Sequence, residues 1–359
     1  MKKILFLAHH RLDRSPGQRY RFEQYFDHFH QNNIDCDLAN IISEEDDKIM
    51  YQSRNYFKKA FVALNAYKTR YLNLRDIEKY NLVVIYREAI PTRSVFFEKM
   101  ISKRNVPIVL DFDDAIWIKD VSSVNKNLSW FKNEKKIEQI LPLCSHVTCG
   151  NKYLYDYAKQ FNNNVSIIHS TVDTDHYLPL KRHESKVVKI GWVGSHTTIK
   201  HFEKILNVFK VLKDKYKNSI EFVVIGDEQY ANLELDIKVV KWENDKEVEL
   251  FNSFDIGVMP LPDNEWTQGK CGMKGLLYMS VGIPAVISAV GMNKDIIEDG
   301  VDGFLPLGEK QWVEVLSKLI ENSELRSKIG ANGRQKVVKN YSKESTKDIY
   351  LNLYKSLMN

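Results

Sequence analysis

A chain of 359 residues is longer than one hydrophobic core ordinarily supports, so two domains of roughly 150–200 residues are expected. With 43% hydrophobic and 28% charged residues it has the make-up of a soluble globular protein, and no apolar run approaches the roughly 18 residues that would span a bilayer. A net charge of +5 suits an anionic ligand or an anionic membrane surface, and no basic cluster interleaved with stacking aromatics points to nucleic acid.

The opening stretch MKKILFLAHHRL has histidines and charges directly after its apolar residues and no small-residue cleavage site, so it reads as a first buried strand rather than a signal peptide. From there, short runs rich in Val and Ile alternate with helix-period segments, the mark of βα units and parallel sheets. Strands are expected at 3–9, 81–87, 107–112, 146–150 and 165–169. A second series follows at 187–194, 219–226, 237–242, 254–261, 284–288 and 303–307. The polar stretch 173–186 is the natural join, giving domains of 1–180 and 181–342 with a closing helix at 343–359. Two consecutive doubly wound α/β sheets are expected to face a central cleft at the carboxyl ends of their strands, where such folds bind ligands.

Directly after the first strand, RLDRSPGQRYRFEQYFDHF combines Ser-Pro-Gly turn chemistry with Phe22, Tyr25, Phe26 and Phe29 at helix spacing. Gly17, Arg19 and Arg21 then sit at a helix start, able to hold a phosphate or carboxylate, or to be a solvated basic turn. Residues 53–80 carry Phe57, Phe61, Leu64, Tyr67, Tyr71 and Leu74 in one stripe, with Lys58, Lys59, Lys68, Arg70 and Arg75 elsewhere. Packing on the sheet is the expected use of that stripe, and docking to an anionic membrane is the alternative. In YREAIP and VLDFDDAIW, Arg87 and Asp111, Asp113 and Asp114 lie at strand ends, where carboxylates can position sugar hydroxyls or act as a base. Asp111 also suits a loop cap and Asp114 an ion pair with Arg87; no metal is assigned to the cluster.

In the second half, IGWVGSHTTIK places Gly191 and Gly194 in a turn after a strand, with Ser195, Thr197 and Thr198 as helix-capping candidates and amides available to an anion. The third glycine of the dinucleotide fingerprint is missing, which argues against a dehydrogenase. Of the histidines His9, His10, His169 and His196, the last is best placed, inside the glycine turn. Finally, GKCGMKGLLYMSVGIPAVIS sets Lys270 and Lys274 four apart among Gly269, Gly272 and Gly275, two ammoniums and free amides suited to a diphosphate. The scattered Cys36, Cys144, Cys149 and Cys271 form no Cys-x-x-Cys pair, which fits a reducing compartment and neither a zinc site nor a disulfide framework.

The glycine turn and KGLLYMSVGIPAVISAVGMNKDIIEDGVDGFL resemble the GT-B glycosyltransferases, in particular glycosyltransferase family 4, most specifically over residues 187–307. SPGQRYRFEQY, VLDFDDAIW, CGNKYLYDYAKQF and GKCGMK resemble a bacterial subgroup of surface-polysaccharide assembly. The resemblance implies transfer of a sugar from a nucleotide-diphosphate donor, with retention and without a metal or other cofactor. Donor binding would fall to the C-terminal domain and acceptor binding to the N-terminal one. The closing helix 343–359 would cross back to pack on the first domain. A lipid-linked glycan or polysaccharide would be the acceptor, and the enzyme cytoplasmic, with peripheral attachment to the inner face of the cytoplasmic membrane as the alternative. Two glutamates eight positions apart in the family are replaced by Gly269 and Leu277. The family's diphosphate-neutralising arginine falls at Ser195, while Lys200 matches its lysine.

On that footing the donor diphosphate is assigned to Gly194, Ser195, His196, Thr197, Lys200, Lys270 and Lys274. Glu265 and Gly272 are assigned to the nucleotide and ribose, and Gly17, Arg19, Arg21 and Arg87 to the acceptor or a phosphate. Asp113, Asp114 and Lys270 carry the chemistry, with Lys270 neutralising the departing diphosphate. The alternatives are a nucleotide-sugar epimerase and a non-catalytic nucleotide-sugar-binding scaffold subunit.

Overall fold

The computed structural model describes residues 1–50, 55–118, 135–181 and 186–358. Residues 53–54 of the amphipathic segment and 182–185 of the expected join lie outside them. The chain divides into unit 1, residues 1–170 with 346–359, and unit 2, residues 171–345. The division falls ten residues before the expected domain boundary at 180/181.

Unit 1 is a parallel sheet of six strands in the order β2-β1-β3-β4-β5-β6. They are β1 Lys2–Leu7, β2 Ile34–Ala39, β3 Leu82–Tyr86, β4 Ile108–Phe112, β5 His146–Cys149 and β6 Val165–Ile167. β3 and β4 are buried along their whole length, β3 as an unbroken apolar run and β4 apolar but for Asp111. β2 was not expected from the sequence. Its alternating Asp35 and Asp37 hide a strand that lies at the sheet edge, where only Ile34 is fully buried. Phe22, Tyr25 and Phe29 close over β1 as their spacing indicates. Phe6 stacks on Phe22 at 5.0 Å between ring centroids, and Phe29 meets Tyr354 at 5.4 Å. Tyr350 and Tyr354 come from the last helix, Lys343–Leu357, which places both in this core.

The helix Tyr56–Arg75 corrects the sequence reading. Its buried face is Lys59, Val62, Ala66, Arg70 and Leu74, while Phe57 is 96% exposed and Phe61, Leu64 and Tyr71 also face out. Arg70 explains the choice of face. Its guanidinium donates to the carbonyls of Ala8, Ala39 and Ala89 at 2.6–2.7 Å, so it gathers the chain leaving β1, β2 and β3. Three carbonyl acceptors at a buried guanidinium outweigh the exposure of a few apolar rings.

Unit 2 is a parallel sheet in the order β11-β10-β7-β8-β9. These are β7 Val188–Val193, β8 Ile220–Ile225, β9 Lys238–Val240, β10 Ile256–Met259 and β11 Ala285–Ile287. The stretch 303–307 is no strand; Phe304 makes one isolated bridge to Val286. Trp192, Phe202, Phe209 and Phe222 anchor the core, the last two stacked at 4.3 Å.

Candidate functional site

In each sheet the order of connection reverses once, between β1 and β3 in unit 1 and between β7 and β10 in unit 2. The loops leaving those strands border the crevice where open α/β sheets take their ligands.

At the unit 1 reversal, His9 is half-buried and its Nε2 lies 3.1 Å from the carbonyl of Glu88. Burial, with the charge of Arg70 next, pulls its pKa down to about 3, so the imidazole is neutral. Asp47 holds Arg11 and, at 2.8 Å, Arg14. Arg21, expected to grip a ligand, is instead fully buried in a two-pronged ion pair with Asp111 at 2.7 and 2.9 Å, and it also donates to the carbonyl of Ile168. Asp111 takes two further hydrogen bonds, from Thr148 at 2.6 Å and Tyr350 at 3.2 Å, which makes it a core anchor rather than a loop cap.

Arg87, in the left-handed region at φ 66°, donates to Asp113 at 2.7 Å and stands 4.0 Å from Asp114. Its main partner is therefore Asp113. Burial alone would favour the neutral acid, but Arg87 and Arg21 outweigh it and hold the Asp113 carboxyl below its ordinary pKa. Tyr86 donates to the same oxygen at 2.8 Å. Gly17 lies against this group: a Cβ there would stand 2.2 Å from the Tyr86 hydroxyl and 3.2 Å from Asp113. Arg19 is half-buried, with its guanidinium 5.4 Å over the ring of Tyr20. Gly17, Arg87 and Asp113 are thus brought together, with Asp114 at the margin.

At the unit 2 reversal, Gly194 directly follows β7 and the exposed Ser195, His196 and Thr197 come next. Thr198 ties the turn, accepting from the Ser195 amide at 3.1 Å and donating to its carbonyl at 3.0 Å, instead of capping the short helix Ile199–Phe202. Glycine is required at 194 because a Cβ would stand 2.3 Å from the six-membered edge of Trp192. Gly226, at φ 116° after β8, meets the same limit from the Gly194 carbonyl at 2.3 Å. Asp227, buried and absent from the sequence reading, accepts from His196 Nδ1 at 3.1 Å.

The loop after β10 carries the helix Glu265–Gln268, closed by an Asn264–Thr267 capping box; Glu265 is its exposed first residue. Gly272, left-handed at φ 64°, starts the helix Met273–Ser280 and abuts Ile296 and Asn293. Lys274 is therefore helical but Lys270 precedes the helix, so their proximity comes from the loop and not from one helical face. Lys270 Nζ lies 3.7 Å over the ring of Trp266, Lys200 Nζ 5.8 Å over the same ring, and Lys274 Nζ 4.6 Å over Trp192. Among the described residues Lys274 forms no ion pair. Burial, helped by the charge of Lys270, draws its pKa down to about 7. A half-buried ammonium held beside another is a receptor for an anion of more than one charge.

Among the described residues, no group of three or more His, Cys, Asp or Glu side chains is arranged to hold a metal ion. Likewise, no helix is long and apolar enough to cross a membrane.

Residues 180–336 match the family model for glycosyl transferases, group 1. With the two parallel-sheet units, that match defines the class: the chain has the GT-B fold and carries a group 1 domain in unit 2, which makes it a glycosyltransferase. Sucrose-phosphate synthase from Thermosynechococcus elongatus superposes at TM-score 0.73 with 13% identity over 99% of each chain. A glycosyltransferase from Rickettsia africae gives 0.69 and 16% over 100% of this chain and 99% of that one. HepE from Anabaena, solved with UDP and glucose, gives 0.65 and 12% over 99% and 100%. At these identities the likeness is one of fold. No curated protein matches the chain by sequence.

Proposed function

We propose that unit 2 binds a nucleoside diphosphate sugar at the β7–β10 reversal and that unit 1 presents a lipid-linked glycan or polysaccharide acceptor. Transfer proceeds with retention and calls on no metal, in bacterial cell-surface glycan synthesis at the inner face of the cytoplasmic membrane. The observation that carries the donor site is the pair Lys270 and Lys274, held beside each other and next to the turn at Gly194.

In this reading Lys270, Lys274 and Lys200 face the diphosphate, with the amides of His196 and Thr197 directed at its oxygens, while the Ser195 amide is held by Thr198 within the turn. Lys270 meets the charge that grows on the leaving group as the glycosidic bond breaks. Gly272 keeps the backbone low beneath the nucleotide, and Glu265 reaches the ribose. Asp113 is held ionised and hydrogen-bonded, so it orients an acceptor hydroxyl rather than taking its proton, and Asp114 beside it serves as the base. Gly17, Arg19 and Arg87 border the acceptor. Support for a nucleotide donor also comes from HepE, crystallised with UDP-glucose.

Calorimetry with UDP, GDP, CMP and dTDP tests the reading. One nucleotide binding selectively to the wild type and not to the Lys270→Ala, Lys274→Ala variant supports it. Equal binding to both, or none to either, refutes the donor site.

A further inference from the structure

Ammoniums gathered at one point repel each other, and each needs a partner that holds it in place without cancelling its charge. A carboxylate supplies the first and defeats the second. The face of an aromatic ring supplies both, because its quadrupole attracts a cation while the ring carries no net charge. Indole is the strongest of the natural faces.

Both loops at the unit 2 reversal use indole in this way. Trp192 runs under Gly194 from β7 and offers its ring to Lys274 at 4.6 Å. Trp266 receives Lys270 from its own loop at 3.7 Å and Lys200 from the helix after β7 at 5.8 Å, and His201 of that helix stacks on it with ring centroids 5.6 Å apart. Trp266 and Lys270 are four residues apart, and the turn between them is fixed. The Asn264–Thr267 capping box closes its start, the Lys270 amide donates to the Thr267 carbonyl at 3.1 Å, and Gln268 engages Asp263 at 2.6 Å. The indole therefore stands where side chains from both loops converge.

We infer that Trp266 is a positioning residue for donor binding: its ring face holds Lys270, and more distantly Lys200, aimed at the diphosphate. This rests on the donor-site reading above. Trp192 has the same relation to Lys274, but it lies in the core, where substitution would disturb packing; Trp266 is only half-buried and can be varied.

The test uses the full chain and inorganic pyrophosphate as the probe, with dissociation constants from calorimetry. Trp266→Phe keeps an aromatic face and should bind within about threefold of wild type, whereas Trp266→Leu should lose roughly five- to tenfold. Combined with Lys270→Met, the Phe and Leu variants should bind alike. Fluorinated tryptophans inserted at 266 alone keep the shape and weaken the ring's negative face. Affinity should fall with fluorine count when Lys270 is present and stay flat in Lys270→Met. A flat series with Lys270 present, while Lys270→Met itself weakens binding, overturns the role of Trp266 and leaves the donor site standing. Should Lys270→Met bind pyrophosphate as wild type does, the donor-site reading falls, and this inference with it.

Discussion

The two sheets reverse their connection in the same manner, yet the charges at the two reversals are handled in opposite ways. In unit 1 four arginines near the reversal have an anionic partner, Arg21 with Asp111, Arg87 with Asp113, and Arg11 and Arg14 with Asp47, while Arg19 lies over the ring of Tyr20. In unit 2, Lys274 rests on a tryptophan face with no ion pair among the described residues, and Lys270 lies close over a second tryptophan. Paired charge shapes a surface and keeps its loops in register, while charge held on aromatic rings stays available to an incoming anion. The comparison shows why counting basic residues at a strand end is a poor guide to binding: Arg21 and Lys274 look equivalent in the sequence and differ in what is left of their charge.

The contrast breaks most sharply at its positive end. Replacing Lys270 and Lys274 together by alanine should cut turnover by about 10²–10³, the scale of losing a preorganised group that stabilises transition-state charge, as measured by sugar-nucleotide consumption. At the paired end, Asp111→Ala leaves Arg21 as a buried unpaired cation. It should cost about 3–5 kcal/mol of stability in denaturant titration, with any loss of activity following from unfolding. Gly194→Ala probes the seam between the turn and the lysine platform. Its Cβ would meet Trp192, so a loss of roughly 1–3 kcal/mol is expected, together with weaker nucleotide binding as the ring beneath Lys274 shifts.

A smaller and graded effect is the pH dependence of nucleotide affinity. Lys274 in the free protein titrates near 7, and a bound diphosphate raises that value. Below pH 7 the lysine is already charged and binding takes up no proton there; above it, binding must take one up, so affinity declines as pH rises. Lys274→Arg keeps the charge at every such pH, and its calorimetric affinity should lose that part of the slope. The smallest effect concerns the outward face of the helix Tyr56–Arg75. Phe57→Ser with Phe61→Ser should change stability by about 0.5 kcal/mol or less, since neither ring is in the core. Loss of binding to anionic vesicles in a flotation assay would tie that face to the membrane.

Much of this molecule could be read from its residues. Unbroken Val and Ile runs set most of the strands, because a parallel sheet covered on both faces admits little else. The glycine turn at 194 and the lysines at 270 and 274 were legible because their residue types are unusual in those surroundings. Other features were invisible for identifiable reasons. β2 lies at a sheet edge and carries acids, and its pattern lacks the apolar run of its neighbours. Arg70 looked like one more surface charge on an amphipathic helix; that it turns inward depends on three carbonyls from distant segments. Trp266 and Asp227 bear no local signal, since a tryptophan or an aspartate in a loop fits many uses.

The sequence by itself therefore determined the class of fold, two βα series, and the positions of the turns, since periodicity and glycine chemistry act over a few residues. The tertiary structure decided which charges were consumed and which were kept. An ion pair such as Arg21 with Asp111 joins residues 90 apart, and its strength comes from burial that exists only after the sheet has formed.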